Sequence, residues 1–429
     1  MGCSVSTLEL AAEEVSSEQA TVVLDRAAHR KGRVLCGIAA VIGLFTAYLF
    51  SRVDGDATYI LSPRGEEVLD FTVPAGPTSL VLGLIGFAAG VFGMFRVRPS
   101  RAPLILAFVM VLFVIAMLTW ATAGQATSLV GLFSGTLRRA SPLIFGALAG
   151  VLCERSGVVN IAIEGMLLAG AFAGAFFGSW LASNWAGLAA GIAIGALFAA
   201  LLAVLSIRYK VDQVVGGTAI NIFALGITSY LGARVLTEYP DLNHTEPFRP
   251  VSIPVLDSIP FIGPVLFDNT FHVYAAFVLV AIVTFTLFRT RWGLRVRAVG
   301  EHPSAADTVG IDVKRLRFWA VVLGGAVAGF GGTYFTLDSS PNFQENMTAG
   351  RGFIALAAVI FGRWHPVGAL GAALLFGFAE QFQGQLALLG SGIPSDILLM
   401  TPYIVTLIVV AGLVGRARPP AADGQPFER

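Results

Sequence analysis

From Gly165 to Ile207 the chain runs for 43 residues without an Asp, Glu, Lys, Arg or His. A helix crossing the hydrocarbon core of a bilayer needs about 20 apolar residues, so this stretch alone holds two crossings. The whole chain is 55% hydrophobic and 13% charged, where roughly a quarter of an ordinary soluble domain is charged. The fold class that follows is an all-α polytopic membrane protein.

Charge-free apolar runs place spans at Val34 to Ser51, Pro77 to Phe95, Ala102 to Trp120, Val158 to Ala182, Trp185 to Ser206 and Val214 to Ala233. Further spans are His272 to Phe288, Phe318 to Leu337, Pro366 to about Leu389, and Ile397 to Gly415. Two shorter stretches, Ser141 to Cys153 and Gly352 to Gly362, are too short to cross as straight helices. They read either as broken half-helices lining a pathway or as tilted ordinary spans. A faint repeat joins them: Ala147-Leu148-Ala149-Gly150-Val151 with Arg155 and Val159 is echoed, at the same spacing, by Ala355-Leu356-Ala357-Ala358-Val359 with Arg363 and Val367.

Short loops rich in Lys and Arg stay cytoplasmic. The 289–317 loop carries seven such residues against Glu301, Asp307 and Asp312, whereas 234–271 has five acidic residues against Arg234 and Arg249. The first faces the cytoplasm and the second the outside. Arg26, Arg30, Lys31 and Arg33 before the first span, and Arg416 and Arg418 after the last, place both termini in the cytoplasm, a parity met by about 12 membrane segments. The chain thus divides into a cytoplasmic leader (1–33), three extra N-terminal spans (34–120), a core (121–415) and a cytoplasmic tail (416–429).

Several functions find no footing. A net charge of +1 gives no basic field for nucleic acid. Cys3, Cys36 and Cys153 are scattered, and His29, His244, His272, His302 and His365 lack paired metal-ligand spacing, so no metal site is expected. Lys31, Lys210 and Lys314 do not stand in a phosphate-binding loop. No catalytic residue is assigned.

An ionisable group at membrane depth is expensive and is read first as functional. Glu164 and Glu380 are two such groups, each open to a pathway role or to a structural helix lock. Asn160, four residues before Glu164, shares its face if the helix starts that early. Gln213, Thr218 and Asn221 offer a second polar face, fit to bind a neutral solute or to join helices. In the cytoplasmic loop, Pro303 suits a first helical position and Gly310 the residue after an end, framing a helix of about two turns with Ala305 and Ala306 exposed for docking.

Three segments resemble hallmarks of the permease subunits of ATP-binding-cassette importers, in the branched-chain amino acid, ribose and nucleoside superfamily: Glu154-Arg155-Ser156-Gly157-Val158-Val159-Asn160-Ile161-Ala162-Ile163-Glu164-Gly165-Met166, Asp212-Gln213-Val214-Val215-Gly216-Gly217-Thr218-Ala219-Ile220-Asn221, and the Arg297 to Gly310 loop. The nucleoside and simple-sugar branch fits best. The likeness covers about Leu137 to Gly415, with Ala162 where the family usually has Gly.

The resemblance implies a multi-pass permease in a bacterial plasma membrane, partnered by P-loop ATPase subunits, a second related permease and an extracellular solute-binding lipoprotein. The chain would bind no cofactor itself, with ATP and Mg held by the ATPases, and membrane lipids would surround it. Arg295, Arg297, Gly300, Glu301, Ala305, Ala306 and Gly310 carry over as the ATPase coupling loop. Asn160, Glu164, Gln213, Thr218, Asn221 and Glu380 are the candidate solute pathway. Nucleosides or purines come first as solute and simple sugars second. The alternative class is an ion-coupled secondary transporter using Glu164 and Glu380.

Overall fold

The computed structural model describes residues 29–61, 70–390, 394, 397, 400 and 418–428. They fall into two compact units, one holding the described residues of 1–129 with 386–390, the other those of 130–385 with 418–428.

The first unit contains α1 (His29–Phe50), α2 (Ala75–Arg96) and α3 (Ala102–Ala121). The strands β1 (Asp56–Ile60), β2 (Phe71–Pro74) and β3 (Ala126–Ser128) form a small sheet in the order β2-β1-β3. β1 pairs antiparallel with β2 (Asp56 opposite Pro74) and parallel with β3 (Thr58 opposite Ala126). The buried face of α2 consists of small residues, with Gly76, Ser79, Gly83, Gly86, Gly90 and Gly93 recurring every three and four positions. A repeat near 3.5 keeps one seam turned toward a neighbouring helix. That neighbour is α1: a Cβ on Gly83 would lie 2.3 Å from the Ala47 nitrogen, and one on Gly90 2.3 Å from that of Ala40. In lipid, burying apolar surface gives helices no drive to associate, so this backbone proximity supplies the contact energy.

The second unit contains α4 (Leu129–Glu154), α5 (Ile163–Trp180), α6 (Asn184–Ala203), α7 (Gln213–Leu231), the short α8 (Ile262–Leu266), α9 (Phe271–Arg289), α10 (Arg291–Glu301), α11 (Pro303–Thr308), α12 (Val313–Tyr334), α13 (Arg351–Phe361) and α14 (Pro366–Leu388). α6, α7 and α12 each finish in a five-residue π-turn. Helices α5, α6 and α12 form the central triplet, and each supplies glycines four apart: Gly170 and Gly174, Gly187, Gly191 and Gly195, and Gly325 and Gly329. A Cβ on Gly329 would come within 2.2 Å of the Gly191 carbonyl, and one on Gly195 within 2.4 Å of that of Gly325. The alanine and glycine crowding of the sequence is therefore a packing device in which each site excludes even a methyl group.

Among the described residues nine helices are long and apolar enough to cross a membrane: α1 to α7, α9 and α12 with their terminal turns. The all-α polytopic class holds, and the strands are short connectors. The expected span from Ile397 to Gly415 falls outside the described residues except for Ile397 and Met400.

Two expectations need correction. Ser141 to Cys153 is not a separate short segment but the second half of the 26-residue α4, whose apolar run is interrupted by Arg138 and Arg139. The span placed at Val158 starts as a helix only at Ile163. The other short stretch is a short helix, the 11-residue α13.

Candidate functional site

α4 ends at Glu154 in a turn through Gly157, whose φ of +87° suits a residue without a side chain. The chain then doubles back along α4 before α5 starts. Ile163 reaches the Gly146 and Gly150 positions, within 3.2–3.3 Å of where their Cβ atoms would be. Gly146 is eight residues from Glu154, about 12 Å at 1.5 Å per residue. α5 therefore begins well inside the bundle.

α13 does the same. Ala355 lies against Gly146 and Val359 against Gly150, so α13 runs parallel to the second half of α4. Its first residue, four before Ala355, stands about 18 Å from the Glu154 level. The two copies of the sequence echo are thus packed side by side.

A helix beginning inside a bundle exposes N–H groups that need acceptors. Neither α5 nor α13 has a capping side chain of its own. Each borrows one. Glu164, in the first turn of α5, accepts hydrogen bonds at Oε1 from the Thr348 hydroxyl (2.6 Å) and the Gly350 N–H (2.8 Å), and at Oε2 from the Gly352 N–H (2.6 Å). Gly350 precedes α13 with φ +83°. The negative charge thus sits at the positive end of a helix dipole, where it is stabilised. Asn221 of α7 accepts from the Gly165 N–H (2.7 Å) and donates to the Ile161 carbonyl (2.8 Å), while the Gln213 Oε1 accepts from the Val159 N–H (2.6 Å).

Glu380 on α14 lies beside this junction. Its Oε1 accepts from Arg139 of α4 (3.1 Å) and from Arg351, the first residue of α13. Arg139 also donates from Nε to Gln381 Oε1 (2.7 Å), and Arg351 lies over the Phe335 ring. Two carboxylates singled out in the sequence therefore meet at one half-helix N-terminus, with two arginines that the span reading passed over. Their signal was available: basic residues at the depth of an acidic one, in a segment too apolar to carry them alone.

A second buried pair was also missed. His272, at the start of α9, has Nδ1 3.0 Å from Asp338 Oδ2 and Nε2 2.9 Å from Thr333 Oγ1. Because the Thr333 hydroxyl gives its one hydrogen to the Phe330 carbonyl, His272 Nε2 is the donor to Thr333. The pair fastens α9 to the end of α12.

The other pathway candidates separate. Asn160 is wholly buried in the turn before α5, not on the Glu164 helix face, and its amide donates to Cys153 Sγ and Met166 Sδ. Gln213 and Asn221 both face the start of α5. Thr218 points away, exposed, and bonds the Val214 carbonyl of its own helix.

At the Glu154 end of the bundle, the 289–317 segment forms α10 and α11 almost at right register to the expectation. Pro303 is the first residue of α11, and Gly310 follows it with φ +83°. α11 is six residues long, close to the expected two turns. Ala305 is exposed, but Ala306 is 4% exposed and packs on Val299 and Val313. Gly300 is also buried: a Cβ there would lie 2.3 Å from the Arg155 carbonyl. Arg297 lies over the Phe288 ring, while Arg295, Glu301 and Gly310 are exposed. The outward face is therefore Leu294, Arg295, Glu301, Ala305 and Val309, a mixed surface with 75% of Val309 uncovered.

Behind it, Arg155 holds the α13–α14 turn by donating to the carbonyls of Trp364 (2.8 Å) and Arg363 (3.5 Å), and Trp364 Nε1 donates to Glu154. Arg363 and Trp364 both have positive φ, a conformation that costs about 1–2 kcal/mol per residue. Burial and the neighbouring Arg297 hold the Arg155 pKa below its usual value, against the pull of Glu301, and burial with Arg155 does the same to His365.

Helices that start inside a multi-span bundle, capped by side chains from other helices, define a polytopic membrane protein of the solute-permease class. The chain belongs to the family described as branched-chain amino acid transport system / permease component, whose model matches residues 131–412. It is 43% identical over 301 residues to the guanosine ABC transporter permease protein NupQ of Bacillus subtilis, covering 68% of this chain and 94% of that one. It is 39% identical to the nucleoside ABC transporter permease protein NupC of Lactococcus lactis (66% and 92% covered) and 35% identical to the putative glucose ABC transporter permease protein TsgC13 of Haloferax volcanii (59% and 77%). No solved structure matches the chain.

Proposed function

We propose that the chain is the transmembrane permease subunit of an ATP-driven importer of nucleosides. The observation that carries this is the 43% identity to a guanosine permease across 94% of that protein's length. On this reading ATP and Mg bind separate P-loop ATPase subunits, which dock on α10–α11 at a cytoplasmic face. A second related permease completes the pathway, an extracellular lipoprotein delivers the solute, and the assembly sits in a bacterial plasma membrane. Arg295, Glu301, Ala305 and Val309 are the contact surface, with Gly310 ending the docking helix.

The half-helix junction is the element whose two packings the ATPases bias, because a ligand shifts an equilibrium only through different contacts in its two states. Glu164, Asn221 and Gln213 serve that junction as locks, and Glu380 with Arg139 and Arg351 ties it to α4 and α14. An ion-coupled mechanism would have to take Glu164 from three hydrogen bonds or Glu380 from two arginines, and it has no use for the α10–α11 surface. Simple sugars are the second solute class, on the 35% identity to a putative glucose permease.

The test is reconstitution of the chain with its co-purifying subunits into proteoliposomes. Uptake of labelled guanosine or adenosine that needs internal ATP and survives ionophores supports the proposal. Uptake driven by an ion gradient without ATP sinks it, and ATP-driven uptake of glucose that nucleosides do not compete with moves the solute to the sugar class.

A further inference from the structure

The 418–428 segment lies across the Glu154 end of the second unit and touches five separate parts of it. The Ala422 N–H donates to the Gly300 carbonyl (2.9 Å) and the Ala421 N–H to Glu301 Oε2 (3.2 Å), which holds the end of α10. Arg317 of α12 donates to the Gln425 carbonyl (2.8 Å). Phe427 packs on the Val299–Ala306–Val313 cluster beneath α11. It also closes one side of a cavity of about 230 Å³ bordered by Gly310 and Ile311. Ala422 and Gly424 come against the turn before α5: a Cβ on Gly157 would lie 3.0 Å from the Ala422 carbonyl, and one on Gly424 3.5 Å from Val159. Lys210, just ahead of α7, pairs with Glu428 at 2.5 Å.

The segment forms its own turn, with the Asp423 N–H donating to the Pro420 carbonyl and that of Gln425 to the Ala422 carbonyl. Pro420 and Ala422 are buried. Backbone bonds to Gly300 and side-chain packing by Phe427 are contacts of a fixed component, not of a chain end lying on a surface.

We propose that residues 420–428 are a positioning strap that makes α10–α11 and the 155–162 turn move as one body, so that displacement of the docking helices reaches Glu164 and the start of α13. This rests on the importer reading above. The path is short and continuous: α11 rests on Phe427, Ala422 joins Gly300 to Gly157, and five residues after Val159 the chain reaches Glu164. The strap's effect is on the transfer of motion, so losing it separates ATP hydrolysis from uptake.

The experiment compares the complete transporter in proteoliposomes carrying the wild-type chain, a chain ending at Arg418, Phe427→Ala and Phe427→Leu. Solute uptake and ATP hydrolysis are measured in the same vesicles. The truncation and Phe427→Ala are expected to keep hydrolysis within about twofold and to lower solute moved per ATP at least fivefold, with Phe427→Leu restoring most of it. An unchanged ratio in both the truncation and Phe427→Ala overturns the proposal. So does a parallel loss of hydrolysis, uptake and assembly, which makes the strap a folding element only. Failure of the wild-type complex to couple ATP to uptake is a different result, and it removes the importer reading itself.

Discussion

Replacing Glu164 by Ala removes the acceptor for two backbone N–H groups, those of half-buried Gly350 and buried Gly352, and for the buried Thr348 hydroxyl, all at the start of α13. A buried donor left without a partner costs about 1–3 kcal/mol. The Thr348 hydroxyl can turn to another acceptor, but the two peptide groups cannot. Losing the carboxylate from the helix N-terminus adds about 0.3–2 kcal/mol. The expected loss is therefore about 2–8 kcal/mol. Glu164→Gln keeps one oxygen for Thr348 and Gly350 but turns an NH₂ group toward the Gly352 N–H, so its loss is smaller, about 1–3 kcal/mol. The assay is equilibrium unfolding of the purified complex in mixed micelles of rising SDS fraction, with wild type, Gln and Ala compared at one protein concentration. Equal midpoints for all three would refute the capping argument, and a Gln variant weaker than Ala would refute the assignment of which oxygen meets which donor.

Three further outcomes are expected. Gly300→Ala, whose Cβ would lie 2.3 Å from the Arg155 carbonyl, should push α10 off the 155–157 turn and lower uptake per ATP without blocking insertion, as read by simultaneous flux and hydrolysis assays. Gly329→Leu should leave no recoverable complex on fluorescence-detected size exclusion, since even a methyl group there would meet the Gly191 carbonyl at 2.2 Å. Burial pushes the Asp423 carboxyl up to about 7, against the opposing pull of the Gly424 N–H and of Arg317. The groups facing it are Arg317 on α12 and Glu154 and Cys153 at the end of α4. An acid whose pKa is higher docked than undocked binds more protons when docked. Docking of the 420–428 strap should thus be tightest in acid, weaken as pH rises from the ordinary aspartate range to about 7, and level off above it. Amide exchange of residues 421–427 should follow that curve after correction for intrinsic rates, and Asp423→Asn should flatten it.

Most span positions were legible because lipid imposes one rule on every crossing, and a count of charge-free residues reads that rule directly; α14, expected as a span from Pro366 to about Leu389, forms a helix but is not among the nine apolar enough to cross. The α11 frame was legible too, since Pro303 and Gly310 act through their own backbones. What escaped were features decided by packing rather than by spacing along one helix. Arg138 and Arg139 made α4 look broken, because an arginine within a span is tolerated only opposite Glu380, 241 residues away from Arg139. Asn160 was placed on a helix by its spacing from Glu164, but that spacing cannot tell a helix from a chain doubling back along α4. Ala306 was taken as exposed on its size, and its burial is decided by Val299 and Val313 on either side of it in the sequence.

The capping of α13 by a side chain of α5 also sets an order of biosynthesis. Glu164 is made 186 residues before Gly350 and 188 before Gly352. At about 5–20 residues per second, the carboxylate waits roughly 10–40 s for the residues that donate to it to be translated. Through that interval α5 is in the membrane with an uncapped acid in its first turn and α4 has no α13 beside it. The second half of the core therefore acts as a keystone for the first, and a chain halted between α7 and α13 leaves Glu164 without the three donors that hold it in the finished bundle.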